Sequence, residues 1–185
     1  MASEAATEHH GGIPLVPGAC YLVEERKPDL AYRLFDALRK RKPVPGLVVT
    51  RQYPDRVKRE RDLKDARIVW LSHTPGTDYQ NPTALGALAK SIAKFVEDAG
   101  GEGVVLLDGL EYLVVNNGFL QTLMFIEHVN EFVMQKRGYV LLPVNPDALD
   151  EKELALLSRN LETVEGEAVR IDLERSEVAK LLDAY

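Results

Sequence analysis

The chain has 185 residues, of which 28% are charged and 45% are hydrophobic, a composition typical of one soluble globular domain. Its formal net charge of −6 argues against a dedicated nucleic-acid binder, because such domains usually carry an excess of basic residues. The single cysteine, Cys20, excludes an internal disulfide framework and a cysteine-rich metal site, and we expect a buried, unreactive thiol there.

The N-terminal segment carries no recognisable targeting signal. Residues 1–17 are mostly small and polar, which predicts a flexible arm rather than a signal peptide. No apolar run approaches the roughly 20 residues that a membrane-spanning helix needs. We therefore expect a cytoplasmic protein without a membrane partner.

Short apolar runs alternate with segments of helical periodicity along the rest of the chain. The runs that predict strands are residues 19–24, 47–50, 67–71, 104–107 and 139–144. Helices are predicted from Pro28 and Asp29 onward, over residues 83–98, from about residue 110 to 136 with a restart near Asn117, and from about residue 174. Residues 72–82 are predicted as a polar loop, and residues 161–171 as one or two short strands.

This alternation predicts the fold class and the domain boundaries. Parallel strands need crossover helices, so we expect an α/β three-layer sandwich with a mostly parallel sheet and helices on both faces. A single domain is predicted over residues 18–172. Residues 173–185 are predicted to form a C-terminal helix, which either packs on the domain or serves as an interaction element.

Residues 104–112, with the sequence VVLLDGLEY, contain the most informative acidic residues. Asp108 ends a strand that should be buried on both faces, and ligands of open α/β sheets bind outside the carboxyl ends of such strands. Asp108 and Glu111 are therefore candidate catalytic residues, the first to hold magnesium and the second to orient water. The alternative is structural: Asp-Gly-Leu-Glu also fits an acidic capping box at a helix start, which we favour.

The remaining parts of a nucleotide site are sparse. No GxxxxGK followed by Ser or Thr occurs, and no GxGxxG follows a predicted strand. Arg51 follows the second strand and is expected to contact Asp108 across the shared sheet edge, as an ion pair or in a vestigial pocket. Ser72 and Asp78, from the loop after the third strand, complete the candidate ligand-binding set. We expect no cofactor and no metal site.

The segment from residue 51 to 61 contains a cluster of basic residues interrupted by acidic ones. We interpret it as a solvated helix with salt bridges, and nucleic acid is therefore not an expected partner.

Several motifs together resemble the mainly archaeal family called domain of unknown function 835, over roughly residues 18–165. The most specific are Thr50, Arg51 and Pro54; Trp70–Ser72; Asp108–Leu113; and Asn117–Phe119. The resemblance implies a scaffold similar to RecA- and KaiC-like ATPases, in which Asp108 matches the acid of the magnesium-binding strand while the phosphate loop has no counterpart. Members of the family occur alone or attached to sensory and signalling modules, and the resemblance implies no agreed activity.

Two functions remain open on the sequence alone. The first is a non-catalytic signalling or assembly domain that acts through protein contacts, with a second copy of itself or a related ATPase as partner. The alternative is a nucleotide-responsive or weakly hydrolytic domain with a site around Asp108, Glu111 and Arg51. We favour the first, in which the protein is not an enzyme.

Overall fold

A computed structural model describes residues 15–63 and 65–164, together with 169, 170, 173–175, 177, 182 and 183. The strands are β1 Ala19–Glu24, β2 Gly46–Thr50, β3 Arg67–Leu71, β4 Tyr79–Gln80, β5 Val104–Asp108, β6 Tyr139–Val144 and β7 Glu162–Val164. The α-helices are α1 Asp29–Arg41, α2 Pro54–Arg61, α3 Leu85–Asp98, α4 Leu110–Asn117, α5 Phe119–Met134 and α6 Glu151–Asn160. A short 3-10 turn covers Pro146–Ala148.

The strands form one sheet in the order β4-β3-β2-β5-β6-β1-β7, and every pairing between described strands is parallel. Helices cover both faces, so the predicted α/β three-layer sandwich is confirmed. β5 is the central strand, and its last residue, Asp108, lies in register with Thr50 at the end of β2. The carboxyl ends of these strands therefore meet at one edge of the sheet.

The sheet is buried on both sides because successive residues of its central strand point to opposite faces. Val105 and Leu107 pack in the core that contains α3 to α6, while Val104 and Leu106 pack in the core that contains α1 and α2. All four side chains are at most 1% exposed. Full burial of each is worth about 2 kcal/mol, which explains why this run forms the centre of the fold.

Helix α1 follows the pattern that the sequence predicts. It begins directly after Pro28, and its apolar stripe is buried against the sheet through Leu30, Leu34 and Leu38. The predicted restart near Asn117 is also confirmed, because Gly118 separates α4 from α5 with a φ of +80°. Few residues other than glycine adopt such a φ, so this joint depends on Gly118.

Two local predictions need correction. Residues 72–82 are not entirely loop, since Tyr79 and Gln80 form the edge strand β4 beside β3. In the region 161–171, β7 confirms one short strand, whereas the described residues Val169 and Arg170 are helical. A two-residue strand leaves no periodic pattern in the sequence, which is why β4 was missed.

The predictions for the two ends of the chain fall largely outside the described residues. Residues 1–14 of the predicted arm are not described, whereas Leu15 is buried in the core beside α1. Near the other end, Val169 and Leu173 are buried and Leu182 is exposed. Whether the C-terminal helix packs or serves in interactions stays a prediction. None of the described helices has the length and apolar character to cross a membrane.

Candidate functional site

Asp108 lies at the carboxyl end of the central strand, where three side chains donate to one of its oxygens. The Tyr32 hydroxyl lies 2.9 Å from Oδ2, the Thr50 Oγ1 3.1 Å and the Gln52 Nε2 3.3 Å. Thr50 belongs to β2 and Tyr32 to α1, so the carboxylate joins the sheet to the helix beside it. Three donors converge on this one oxygen, so the network restrains the position of the Asp108 side chain.

Two of the three donors around Asp108 are themselves buried. Thr50 is fully buried and Tyr32 is 4% exposed. Burial raises the pKa of the Tyr32 phenol, and the neighbouring charge of Asp108 raises it further. Tyr32 is therefore a protonated donor at neutral pH, and Asp108 is its acceptor.

The predicted capping box at Asp108 and Glu111 is wrong. Helix α4 begins at Leu110, so its N-cap position is Gly109, which has no side chain to accept a hydrogen bond. Glu111 instead accepts the backbone N–H of Asn145 at 2.6 Å, which ties α4 to the loop after β6. A capping box does form at α6, where Asp150 and Glu153 exchange side-chain and backbone hydrogen bonds.

Glu25 occupies the N-terminus of α1, directly after β1. Its Oε2 accepts the N–H of Leu30 at 2.8 Å, and its Oε1 accepts the N–H of Ala31 at 2.9 Å. Burial raises the pKa of this carboxyl, although both hydrogen bonds act in the opposite direction. In a phosphate-loop protein, the free N–H groups at the start of such a helix bind phosphate. Here they bind the chain's own carboxylate.

Arg51 approaches Asp108 only through its backbone, whose N–H lies 3.3 Å from the carbonyl oxygen of Asp108. Its guanidinium lies 4.5 Å from the centre of the Tyr112 ring, and among the described contacts it forms no ion pair with Asp108. The His73 ring packs against Tyr112 in a T-shaped arrangement, and its Nε2 lies 2.8 Å from the Asn116 Oδ1. The predicted ion pair is therefore not among the described contacts, and the charge of Arg51 stacks on an aromatic ring instead.

Ser72 and Asp78 do not join the Asp108 network. The Ser72 hydroxyl accepts the N–H of Thr74 at 2.9 Å, which shapes the loop after β3. The Asp78 carboxylate pairs with Arg67 at 3.4 Å, at the outer edge of the sheet. Neither side chain shares a hydrogen bond with Asp108, so these two candidates have local structural partners.

Other sequence predictions are resolved by burial and pairing. Cys20 is buried, and burial raises the pKa of its thiol to about 12, so it is unreactive at neutral pH as expected. Within the part of the chain that the structure describes, no group of three or more His, Cys, Asp or Glu side chains is placed to hold a metal ion. The basic segment forms α2, where Arg56 pairs with Glu60, and Arg61 with Asp29 of α1.

Sequence reasoning missed Glu25, Tyr32 and Gln52 as parts of this edge. Tyr32 falls on the apolar face of the helix that the sequence predicts after Pro28, and its hydroxyl gives no separate signal. Glu25 does give a signal in the sequence, because it follows the first strand at the position where a phosphate loop would start. An acid at that position predicts repulsion of phosphate.

Residues 24–161 match the family model described as Protein of unknown function (DUF835). The chain belongs to this family. No curated protein sequence matches the chain. Among solved structures, the DUF835 chain is similar to a protein from Pyrococcus horikoshii OT3, with 13% identity, a TM-score of 0.57 and 80% of each chain covered.

A second similar structure is a KaiC-like protein from the same hyperthermophilic archaeon. The identity is 11% and the TM-score is 0.51, over 72% of the DUF835 chain and 65% of the KaiC-like chain. At this level of identity the likeness shows the fold alone, which is of the RecA/KaiC type. Within this fold Asp108 is the last residue of β5, and Glu25 directly follows β1.

Proposed function

We propose that the protein is a non-catalytic signalling or assembly domain that acts through protein–protein contacts on a degenerate ATPase-like scaffold. The proposal rests on one observation. Side chains of the protein itself occupy the two places where a nucleotide would bind, which are the N-terminus of α1 and the carboxylate of Asp108. Glu25 fills the N-terminus of α1, and the donors Tyr32, Thr50 and Gln52 fill an oxygen of Asp108. A nucleotide phosphate would meet the Glu25 carboxylate, a like charge.

An exposed apolar surface supports a role in protein contacts. Val115 is 82% exposed, Leu120 67% and Met124 62%, and all three lie where α4 joins α5. Met124 also borders a shallow groove of about 230 Å³ between α3 and α5. Leu120 and Met124 lie one turn apart on the same face of α5, and adjacent exposed apolar side chains mark interaction sites more often than single ones do.

Charge distribution favours a second copy of the chain as the partner on this surface. Exposed Lys90 lies on α3, where Lys94 already pairs with Asp98 at 2.8 Å, and the exposed Glu131 lies on α5, which packs against α3. A two-fold axis along the groove would place α3 of one copy against α5 of the other. Lys90 of each copy would then face Glu131 of the other copy.

Self-association is tested by light scattering and sedimentation equilibrium over micromolar to near-millimolar protein. We expect a dimer that Met124→Glu and Leu120→Glu both dissociate. Met134→Glu is the matched control, because Met134 is 65% exposed at the far end of the same helix. A wild-type protein that stays monomeric throughout, or a dimer that Met124→Glu leaves intact, would contradict this surface.

A nucleotide-responsive or weakly hydrolytic domain remains the second candidate, because Asp108 is only partly buried at the centre of the sheet edge. Calorimetric titration with ATP, GTP and cyclic dinucleotides in the presence of magnesium separates the two functions. We expect no binding by the wild type at millimolar ligand. Wild-type binding that Asp108→Asn abolishes, with the fold preserved, would favour the second candidate instead.

A further inference from the structure

A cavity of about 570 Å³ opens at the amino end of the sheet, opposite the edge that carries Asp108. Its apolar walls come from three parts of the chain, through Leu15, Leu38 and Val44. Tyr139, the first residue of β6, also lines it. The volume lies in the range of roughly 300–1,000 Å³ that is usual for small-molecule sites.

The wall before β1 is held in place by hydrogen bonds. The Tyr21 hydroxyl accepts the N–H of Val16 at 2.8 Å and donates to the carbonyl of the same residue at 3.0 Å. The N–H of Gly18 donates to the carbonyl of Gly138 at 2.8 Å, and Leu15 is 7% exposed. This side of the cavity is therefore built into the fold.

Positive charge exceeds negative charge around the opening. Arg41, Lys42 and Arg137 line the cavity with one carboxylate, that of Glu102. Glu102 pairs with Lys42 at 2.5 Å and with Arg137 at 3.6 Å. Within the described residues Arg41 has no ion-pair partner, so one carboxylate serves two of the three cations and the opening keeps a net positive charge.

Tyr139 supplies a donor that the fold leaves unused. Its side chain is half-buried, and its hydroxyl has no hydrogen-bond partner among the described residues. Burial raises the pKa of this phenol, so it carries a proton at neutral pH. A half-buried donor beside cations is suited to an anionic oxygen.

We propose that this cavity binds a small amphiphilic anion, a carboxylate or phosphate group attached to an apolar body. The headgroup lies between Arg41 and Arg137 and accepts a hydrogen bond from the Tyr139 hydroxyl. The apolar body packs against Leu38 and Val44. This site is separate from the Asp108 edge and from the α3–α5 surface, so it goes beyond the proposed assembly function.

Calorimetric titration of the full chain with octyl phosphate and octanoate tests both halves of the proposed ligand. Inorganic phosphate supplies the headgroup alone, and octanol supplies the apolar body alone. We expect at least one of the two amphiphilic anions to bind with one-to-one stoichiometry and about ten-fold more tightly than either partial ligand. The tighter of the two identifies the preferred headgroup. Inorganic phosphate or octanol binding as tightly as both anions would overturn the proposal.

Variants of the cationic residues locate the binding. Arg41→Gln combined with Arg137→Gln is expected to weaken binding about ten-fold or more, and Tyr139→Phe about three-fold. Arg59→Gln is the matched control, because Arg59 is an exposed arginine of α2 that does not line the cavity. Equal affinity in the wild type and the double variant, with both folded by circular dichroism, would also overturn the proposal.

Discussion

The two edges of the sheet differ in how their polar groups are satisfied. At the carboxyl edge, Asp108 and Glu25 accept hydrogen bonds from the chain's own side chains and backbone. At the amino edge, Arg41 and Tyr139 border an open cavity. Among the described residues, Arg41 has no ion-pair partner and the Tyr139 hydroxyl has no hydrogen-bond partner. Open α/β sheets usually bind ligands at the carboxyl edge, so topology alone points to the side where this protein is already filled. The side chains that lack partners at the amino edge, and not the fold, indicate where a ligand has room.

The largest effect on stability is expected when the acceptor at the carboxyl edge is removed. Asp108→Ala leaves the buried hydroxyls of Tyr32 and Thr50 without their acceptor, and we expect it to lower the free energy of unfolding by about 3 kcal/mol. Asp108→Asn keeps a neutral acceptor and should cost about 1 kcal/mol. Urea denaturation measures both. If the alanine variant were as stable as the wild type, the network would not stabilise this edge.

A smaller effect is expected from one donor of the same network. Tyr32→Phe removes the hydroxyl that contacts Asp108 while it keeps the ring in the core, and should lower the free energy of unfolding by about 1 kcal/mol. Tyr112→Phe is the control, since that tyrosine acts through its ring beneath Arg51. It should change stability by less than about 0.5 kcal/mol. Equal losses in the two variants would mean that the hydrogen bond to Asp108 is not the cause.

The pH dependence of stability tests whether burial raises the pKa of Glu25. Burial raises its pKa above the ordinary value of 4.5, Asp29 raises it and Arg170 lowers it. The folded state then binds the proton more tightly than the unfolded chain. This stabilising contribution is complete below the unfolded pKa and is lost as pH rises through the folded pKa. The stability of the wild type relative to Glu25→Gln should therefore fall between acidic and neutral pH.

Urea midpoints of the wild type and the Glu25→Gln variant at matched pH values measure this difference. The contributions of the other carboxyl groups are the same in both proteins and cancel. A difference that rises with pH would show that the two backbone hydrogen bonds outweigh burial at Glu25.

The smallest effect is expected at the amino edge. Arg41→Gln and Arg137→Gln should each change the free energy of unfolding by less than about 0.5 kcal/mol, because both side chains are exposed. Thermal and urea unfolding check this. A loss of more than about 1 kcal/mol would make these cations structural, and the contrast between the two edges would disappear.

The sequence predicts the sheet well and the site poorly, for different physical reasons. Runs such as Val104–Leu107 are apolar because both faces of a central parallel strand are buried, and that requirement is local. The partners of Asp108 are not local: Tyr32 is 76 residues away in sequence and Thr50 is 58. Nothing in either residue type specifies that contact before the sheet order is known.

The error at Asp108 has a narrower cause. A capping box needs its acid at the N-cap position, and α4 begins one residue too late for Asp108 to occupy that position. Helix boundaries are the least reliable part of a pattern-based prediction, and here a shift of one residue changes the role of the side chain. The same motif was present at Asp150 and Glu153, where the boundary falls correctly.

In the part of the chain that the structure describes, the sheet ends in short strands on both sides, with two residues in β4 and three in β7. Unpaired edge strands offer backbone N–H and C=O groups to neighbouring chains, and short ones offer few. Extension of this sheet into a second molecule would gain little hydrogen bonding. Strand pairing of the kind that builds fibres therefore finds few free backbone groups at either edge of the described sheet.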